Sequence, residues 1–271
     1  MNKDSPAKAL LVVLSVALVC SLLVSITVVT LRPVQYRNQL IEQSRKIMDL
    51  TGLIEPGEIL SEAAMKEAVG QLDMRLLDID QGKFSSVMDP ADFDPRAARS
   101  DPELSVAIPD SDDLAGLGRR ESFAVIYLIW QGANVDRIIL PVYGQGMWST
   151  LYGYIALEAD LNTIAAMTFY EQAETAGLGD QVQSREWLGK WRGRKIYSDA
   201  GSVRFRVASS VVAPDSPEAS YEVDVMTGAT ITGDAVTRLI RYWFGPQGYA
   251  PFIESLKARP PSRDTLEDNP Q

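Results

Sequence analysis

Asp224-Val225-Met226-Thr227-Gly228-Ala229-Thr230-Ile231-Thr232 decides the reading of this chain. A strand-like run, Tyr221 to Val225, stops at a turn of small residues. An amphipathic pattern follows, in which Val236, Leu239, Ile240 and Trp243 fall on one helical face. Thr230 therefore stands where a strand passes to a helix N-terminus. Unpaired backbone N–H groups and the positive end of the helix dipole favour a phosphate at such a point. Beside Gly228 and Ala229, the Thr230 hydroxyl is open to a bulky group. Four small residues before a helix are also the makings of an ordinary loop and cap, so the motif takes its weight from the rest of the chain.

Composition narrows the chemistry. The 271 residues suffice for one or two domains with a real core, and 36 Asp and Glu against 26 Lys and Arg make the chain acidic. No basic patch is available to neutralise phosphates, so nucleic acid is not an expected partner. There is no histidine, which removes Ser-His-Asp and Cys-His nucleophile systems and histidine metal sites. One cysteine, Cys20, permits no intrachain disulfide and no four-cysteine iron–sulfur cluster. Redox work by this chain requires an organic cofactor.

Ala9 to Leu31 form 23 positions without a charge. As a helix they rise about 35 Å, enough to cross a hydrocarbon core. The run is long for a cleavable signal and leaves through Leu31-Arg32-Pro33, not an Ala-x-Ala exit. Val19 before Cys20 does not suit lipoprotein processing. The expectation is one transmembrane helix, residues 9–31, after an N-terminus of residues 1–8, in contact with membrane lipid. Lys3 and Lys8 precede the span, whereas Arg32, Arg37, Arg45 and Lys46 follow it. Positive-inside counting alone does not place the large domain outside.

Residues 32–121 read as a helical and irregular part. Tyr36 to Leu50 has Leu40, Ile41, Ile47 and Met48 recurring on one face, Ser61 to Leu77 suits a second helix, and Asp89 to Asp113 reads as an irregular connection. Residues 122–259 read as a mixed α+β domain. Strands are expected at Phe123–Trp130, Val135–Tyr143, Tyr152–Leu157, Ile164–Tyr170, Val203–Ser209 and Tyr221–Val225, with a hairpin at Gly132-Ala133-Asn134. Helices are expected at Gln183–Trp191, Gly233–Phe244 and Tyr249–Ala258. Residues 260–271, with three prolines and mixed charge, read as a disordered tail.

Two further segments carry candidate chemistry. Tyr143 to Gly153 holds Gly144, Gly146 and Trp148; it suits a close turn whose tryptophan is either a core residue or a broad apolar face for a ligand. It is not a dinucleotide fingerprint, because the third glycine of the spacing falls on Leu151. Glu174-Thr175-Ala176-Gly177-Leu178-Gly179 lies between a strand and a helix. Such a loop brings backbone N–H groups close to a flat ring, with Leu178 against the ring face, or is an ordinary turn. Asp224 either holds the turn ahead of Thr230 or closes an Asx-turn.

Thr227 to Thr230, followed by Ile231 and Thr232, resembles the (S/T)GAT signature of FMN-binding domains that carry the flavin on threonine through a phosphoester bond. The last threonine of the tetrad maps to Thr230. The Glu174–Gly179 loop is similar to the E-T-P-G-L-G loop of the same family, with Ala176 in place of proline, a change that loosens the loop slightly. The Gly146-x-Trp148-Ser149-Thr150-x-Tyr152-Gly153 form, the order of the three motifs and the single span resemble the NqrC family of Na⁺-translocating NADH:quinone oxidoreductases over most of the chain. The RnfG component of the related Rnf ion-pumping complex shares the architecture, and a membrane-anchored flavin-domain regulator is a further alternative.

The resemblance implies an α+β fold behind one span, in a bacterial inner membrane, with the large domain periplasmic. It implies covalent FMN, installed by a separate flavin transferase, and an electron relay among the other components of a multi-subunit membrane redox complex. Thr230 is then the acceptor, with Thr227, Gly228, Ala229, Thr232, Asp224, Glu174, Thr175, Gly177, Leu178, Gly179 and Trp148 around the cofactor. No metal ligands and no residue catalytic by itself are implied.

Overall fold

The computed structural model describes residues 6–52, 61, 63–64 and 72–263. Residues 1–44 and 45–271 separate as two compact units. Helix α1 runs Pro6–Thr51. Its stretch Pro6–Arg32, with a mean hydropathy of 2.9, is the one helix among the described residues long and apolar enough to cross a membrane. The helical expectation for Tyr36–Leu50 holds for the backbone. Ile47 and Met48 are buried, whereas the side chains of Leu40 and Ile41 lie outside the described residues.

The second unit is built on a six-stranded antiparallel sheet. Its strands are β1 (Asp73–Asp78), β2 (Lys83–Ser85), β5 (Phe123–Gln131), β6 (Asn134–Gln145), β7 (Thr150–Glu158) and β8 (Ile164–Glu171), in the order β2-β1-β5-β6-β7-β8. The hairpin between β5 and β6 closes at Gln131↔Asn134. Along these strands apolar residues serve both faces. Ile126, Leu128, Ile138, Leu140, Ile155 and Leu157 enter the main core, whereas Tyr127, Ile129, Ile139, Tyr154 and Ala156 join a second cluster with Ile47, Met48 and Leu50. Burial on both faces explains why the strands read as nearly continuous apolar runs instead of strict alternation.

The main core is closed by α4 (Thr230–Trp243) and α5 (Ala250–Ala258). Val236, Leu239, Ile240 and Trp243 are all fully buried, and the indole N–H of Trp243 donates to the Tyr143 carbonyl at 2.7 Å. The helix thereby sits against β6, with its N-terminus beside the turns that end the strands.

Two expectations need correction. The helix expected over Ser61–Leu77 ends in strand: residues 73–77 pair along β5, with Leu76 opposite Val125; residues 65–71 lie outside those described. Long-range pairing of Leu76 and Leu77 outweighs a helical spacing that is equally compatible with a short strand. The connection Asp89–Asp113 is more regular than its composition suggests. Asp89 caps a 3₁₀ turn, Pro90–Asp92, and Asp94 caps α2 (Pro95–Ser100), its carboxylate accepting from the backbone N–H of Arg96 and Ala97. In both, an Asp-Pro pair supplies the cap and the first helical φ. Strand β3 (Ser105–Ala107) then pairs with β4 (Arg119–Glu121).

After β8 the elements are short. A 3₁₀ turn, Gly179–Gln183, leads into α3 (Arg185–Gly189), where one helix to Trp191 was expected. β9 (Arg206–Val207) and β10 (Glu222–Val223) form a two-residue parallel pair inside the two longer strands expected there. Ser262 bridges Asn134, so the tail region begins with a contact to the β5–β6 hairpin; residues 264–271 lie outside those described.

Candidate cofactor site

The Glu174 carboxylate organises the site. It is buried, 8 % exposed. One oxygen accepts from the backbone N–H of Trp148 at 2.9 Å and of Ser149 at 3.3 Å; the other accepts from Met147 N–H at 3.2 Å and from the Thr232 hydroxyl at 2.7 Å. One side chain thus ties together the β6–β7 turn, the loop after β8 and the first turn of α4. Burial alone opposes the charge, but the three N–H donors and the Thr232 hydroxyl outweigh it and hold the carboxyl below the usual glutamate range. Gly146 and Gly179 flank the carboxylate: a Cβ at either would fall within 2.7 and 2.8 Å of Glu174 atoms.

Two more contacts join the loops. Gly228 has φ +74°, a left-handed conformation open to glycine, and the Leu178 side chain covers it, 2.8 Å from where a Cβ would stand. Gln181 donates from its amide to the carbonyls of Gly177 at 3.4 Å and Thr227 at 3.2 Å. The backbone of Thr175 accepts from Leu178 and Asp180, closing the loop.

Helix α4 begins at Thr230 itself. Its N-cap, Ala229, makes no side-chain cap hydrogen bond, and its first turn holds no acidic residue. The three threonines differ sharply. Thr232 is 1 % exposed and engaged with Glu174; Thr227 and Thr230 are exposed. Around them stand bared apolar side chains: Met147, Trp148, Leu178 and Ile231, between 42 % and 66 % exposed. Trp148 is therefore not a core residue.

The structure brings Glu174, Gly177, Leu178, Gly179, Trp148 and Thr227–Thr232 together. It does not bring Asp224 into this group. The Asp224 carboxylate accepts from Val212 N–H at 2.8 Å and from Lys190 Nζ at 2.9 Å, and these two partners hold it below the usual aspartate range. Its carbonyl takes the Trp187 indole N–H at 2.9 Å. Asp224 braces the approach to the turn. Sequence reasoning missed Gln181, whose bridge has no sequence signal, and Met147 and Ile231, each adjacent to a predicted site residue.

The arrangement suits a ligand with one phosphate end and one flat apolar end. The uncapped start of α4 offers backbone N–H groups and a positive dipole to an anion. The tied loops offer apolar side chains at fixed positions to a ring. FMN has this form. Among the described residues no cluster of acidic or cysteine side chains could hold a metal ion.

Comparison with known proteins agrees. Residues 146–245 match the FMN-binding domain family. The chain is 38 % identical over 260 residues to NqrC of the Na⁺-translocating NADH-quinone reductase of Pseudomonas aeruginosa, covering 94 % of this chain and 98 % of that protein. It is 35 % identical to the Vibrio alginolyticus NqrC, covering 94 % and 97 %. The crystal structure of Shewanella oneidensis NqrC superposes with a TM-score of 0.72 at 31 % identity, covering 80 % of this chain and 97 % of that one. The NqrC structure from Parabacteroides distasonis, at 22 % identity and a TM-score of 0.58, shares the fold. The chain belongs to the NqrC family of the Na⁺-translocating NADH-quinone reductase, and residues 146–245 are its FMN-binding domain.

Proposed function

We propose that this chain carries FMN through a phosphoester on Thr230 and serves as an electron relay in a membrane-bound, Na⁺-pumping NADH:quinone oxidoreductase. The observation that carries the attachment point is the contrast among the threonines: Thr230 is exposed at the first position of an uncapped helix, while Thr232 is buried and its hydroxyl is engaged by Glu174. Bound FMN supplies the one chemistry these residues lack, acceptance and release of single electrons.

The chain's own residues hold, orient and shield. The first turn of α4 would direct N–H groups toward the phosphate end, Leu178 and Trp148 would border the ring, and the Glu174 ties keep the three segments in one register. A covalent tether keeps the cofactor present at one distance from its neighbours, which a relay requires. Thr230 would be an acceptor and not a catalyst: a flavin transferase would join its Oγ to the FMN phosphate, with AMP as the leaving group of FAD and the hydroxyl proton passing to the transferase. Partners are that transferase and the other redox proteins of the complex. The apolar stretch Pro6–Arg32 carries one charged residue before its end, Lys8, and anchors the chain in lipid without an ion site of its own.

Co-expression with a flavin transferase is expected to give a yellow chain whose fluorescence survives denaturation. Thr230→Ala protein made in the same way is expected to lose that fluorescence; retention of it refutes the attachment point. The resemblance also implies the orientation, with residues after Arg32 in the periplasm, against the lean of the charge count. A reporter fused after Gln271 is expected to be active only outside the cytoplasm, and activity confined to the cytoplasm refutes the orientation.

A further inference from the structure

We propose that Glu174 is a positioning residue for flavin attachment: its carboxylate, by binding Thr232 and the Met147–Ser149 backbone at once, sets the first turn of α4 so that Thr230 is presented to the transferase. The inference rests on the reading of Thr230 as the acceptor and adds a residue that need not touch the reacting atoms. Three observations support it. The carboxylate accepts from Met147, Trp148 and Ser149 N–H and from Thr232 Oγ1, which spans two loops and a helix with one side chain. Thr232 lies two residues beyond Thr230 in the same helical turn, and Ala229 caps nothing with its side chain. The tie to Glu174 is thus the side-chain restraint on that turn. Finally, Gly146 and Gly179 leave no room for a Cβ beside the carboxylate, so the loops are shaped around it.

A glutamine at 174 keeps the size but presents an NH₂ group to a site whose partners are all donors, so at least one N–H or the Thr232 hydroxyl loses its acceptor. Loss of a fixed negative charge at the site also makes reduction of a bound flavin easier, an effect that packing alone does not produce.

The test uses the full chain in detergent or membranes, with a flavin transferase, FAD and Mg²⁺. The time course of modified chain is followed by intact mass for wild type, Glu174→Gln and Thr232→Val, and the melting temperature of each unmodified chain is recorded. The expected result is at least a tenfold slower modification of Glu174→Gln and a smaller slowing of Thr232→Val, with both variants folded at the assay temperature. Once modified to completion, Glu174→Gln is expected to show a higher flavin midpoint potential than wild type. Wild-type modification rate in a folded Glu174→Gln chain overturns the proposal. So does slowing that merely follows the loss of melting temperature, which a destabilised variant remote from the site, such as Phe205→Leu, calibrates. A wild-type chain that takes flavin on a residue other than Thr230 sinks the attachment reading instead, and is recognised by the position of the added mass.

Discussion

Glu121 and Glu174 are both buried, at 2 % and 8 % exposed, yet their carboxyls are shifted in opposite directions. Glu121 ends β4 and takes a hydrogen bond from the Tyr143 hydroxyl, near Arg99, whose guanidinium sits 4.6 Å from the Tyr143 ring. Burial dominates there and pushes its carboxyl up. Glu174 also suffers burial, but three backbone N–H groups and the Thr232 hydroxyl reverse the outcome. At Glu121 burial outweighs the Tyr143 hydroxyl and the nearby arginines, whereas at Glu174 the donors outweigh a weaker burial. The end of β4, in the two-stranded β3–β4 pair, holds the acid whose charged form is disfavoured. The rim of the cofactor site holds the one kept charged, where the charge clamps loops.

The contrast is strained hardest by removing Glu174 outright. Glu174→Leu leaves the Met147–Ser149 N–H groups and the Thr232 hydroxyl without an acceptor. It is expected to destabilise the unmodified chain by about 2–3 kcal/mol, measured by urea titration of a span-deleted domain or by melting of the full chain. A loss within about 0.5 kcal/mol shows that water replaces the carboxylate at little cost.

Stability against pH separates the two acids further, because they act with opposite sign. Glu174, held below the ordinary value of about 4.3, contributes stability that is present above that value and is lost as pH falls through its folded value. Glu121, raised above it, contributes stability that is full below about 4.3 and is lost as pH rises through its folded value. Glu174→Gln is therefore expected to flatten the acid side of the melting curve, and Glu121→Gln the side above it. Identical flattening by both substitutions contradicts the assignment.

The smallest effect belongs to Leu178. At 42 % exposed it is not core, so Leu178→Ala is expected to cost no more than about 1 kcal/mol while altering the flavin spectrum. A loss of about 2 kcal/mol or more with an unchanged spectrum makes it a packing residue instead.

Much of this was legible in the residues. The strands from Phe123 to Tyr170 stood out as apolar, β-rich runs, and α4 as a one-faced helix. The loop after β8 and the threonine turn were legible through glycines that leave room for close contacts, at Gly179 and Gly228. What escaped was non-local. Strand β1 exists because β5 pairs with it, and nothing within Asp73–Asp78 distinguishes it from the end of a helix. Glu174 stood out within its loop, but its bonds to Met147–Ser149 and Thr232 cross 25 to 58 residues, and no local pattern encodes them. Asp224 was legible as a charged residue near the turn, yet its partners, Val212 and Lys190, draw it away from the threonines.

In the proposed reading, flavin attachment turns on Thr230 being exposed at the start of α4 while Thr232 is buried and bonded to Glu174. Peptide mass mapping of chain made with a flavin transferase decides this, because Thr227, Thr230 and Thr232 lie within six residues of one another and fragmentation resolves them. The added FMN mass is expected on Thr230 alone. FMN on Thr227 or Thr232, or no FMN on the fragment in a chain that is otherwise folded, contradicts it.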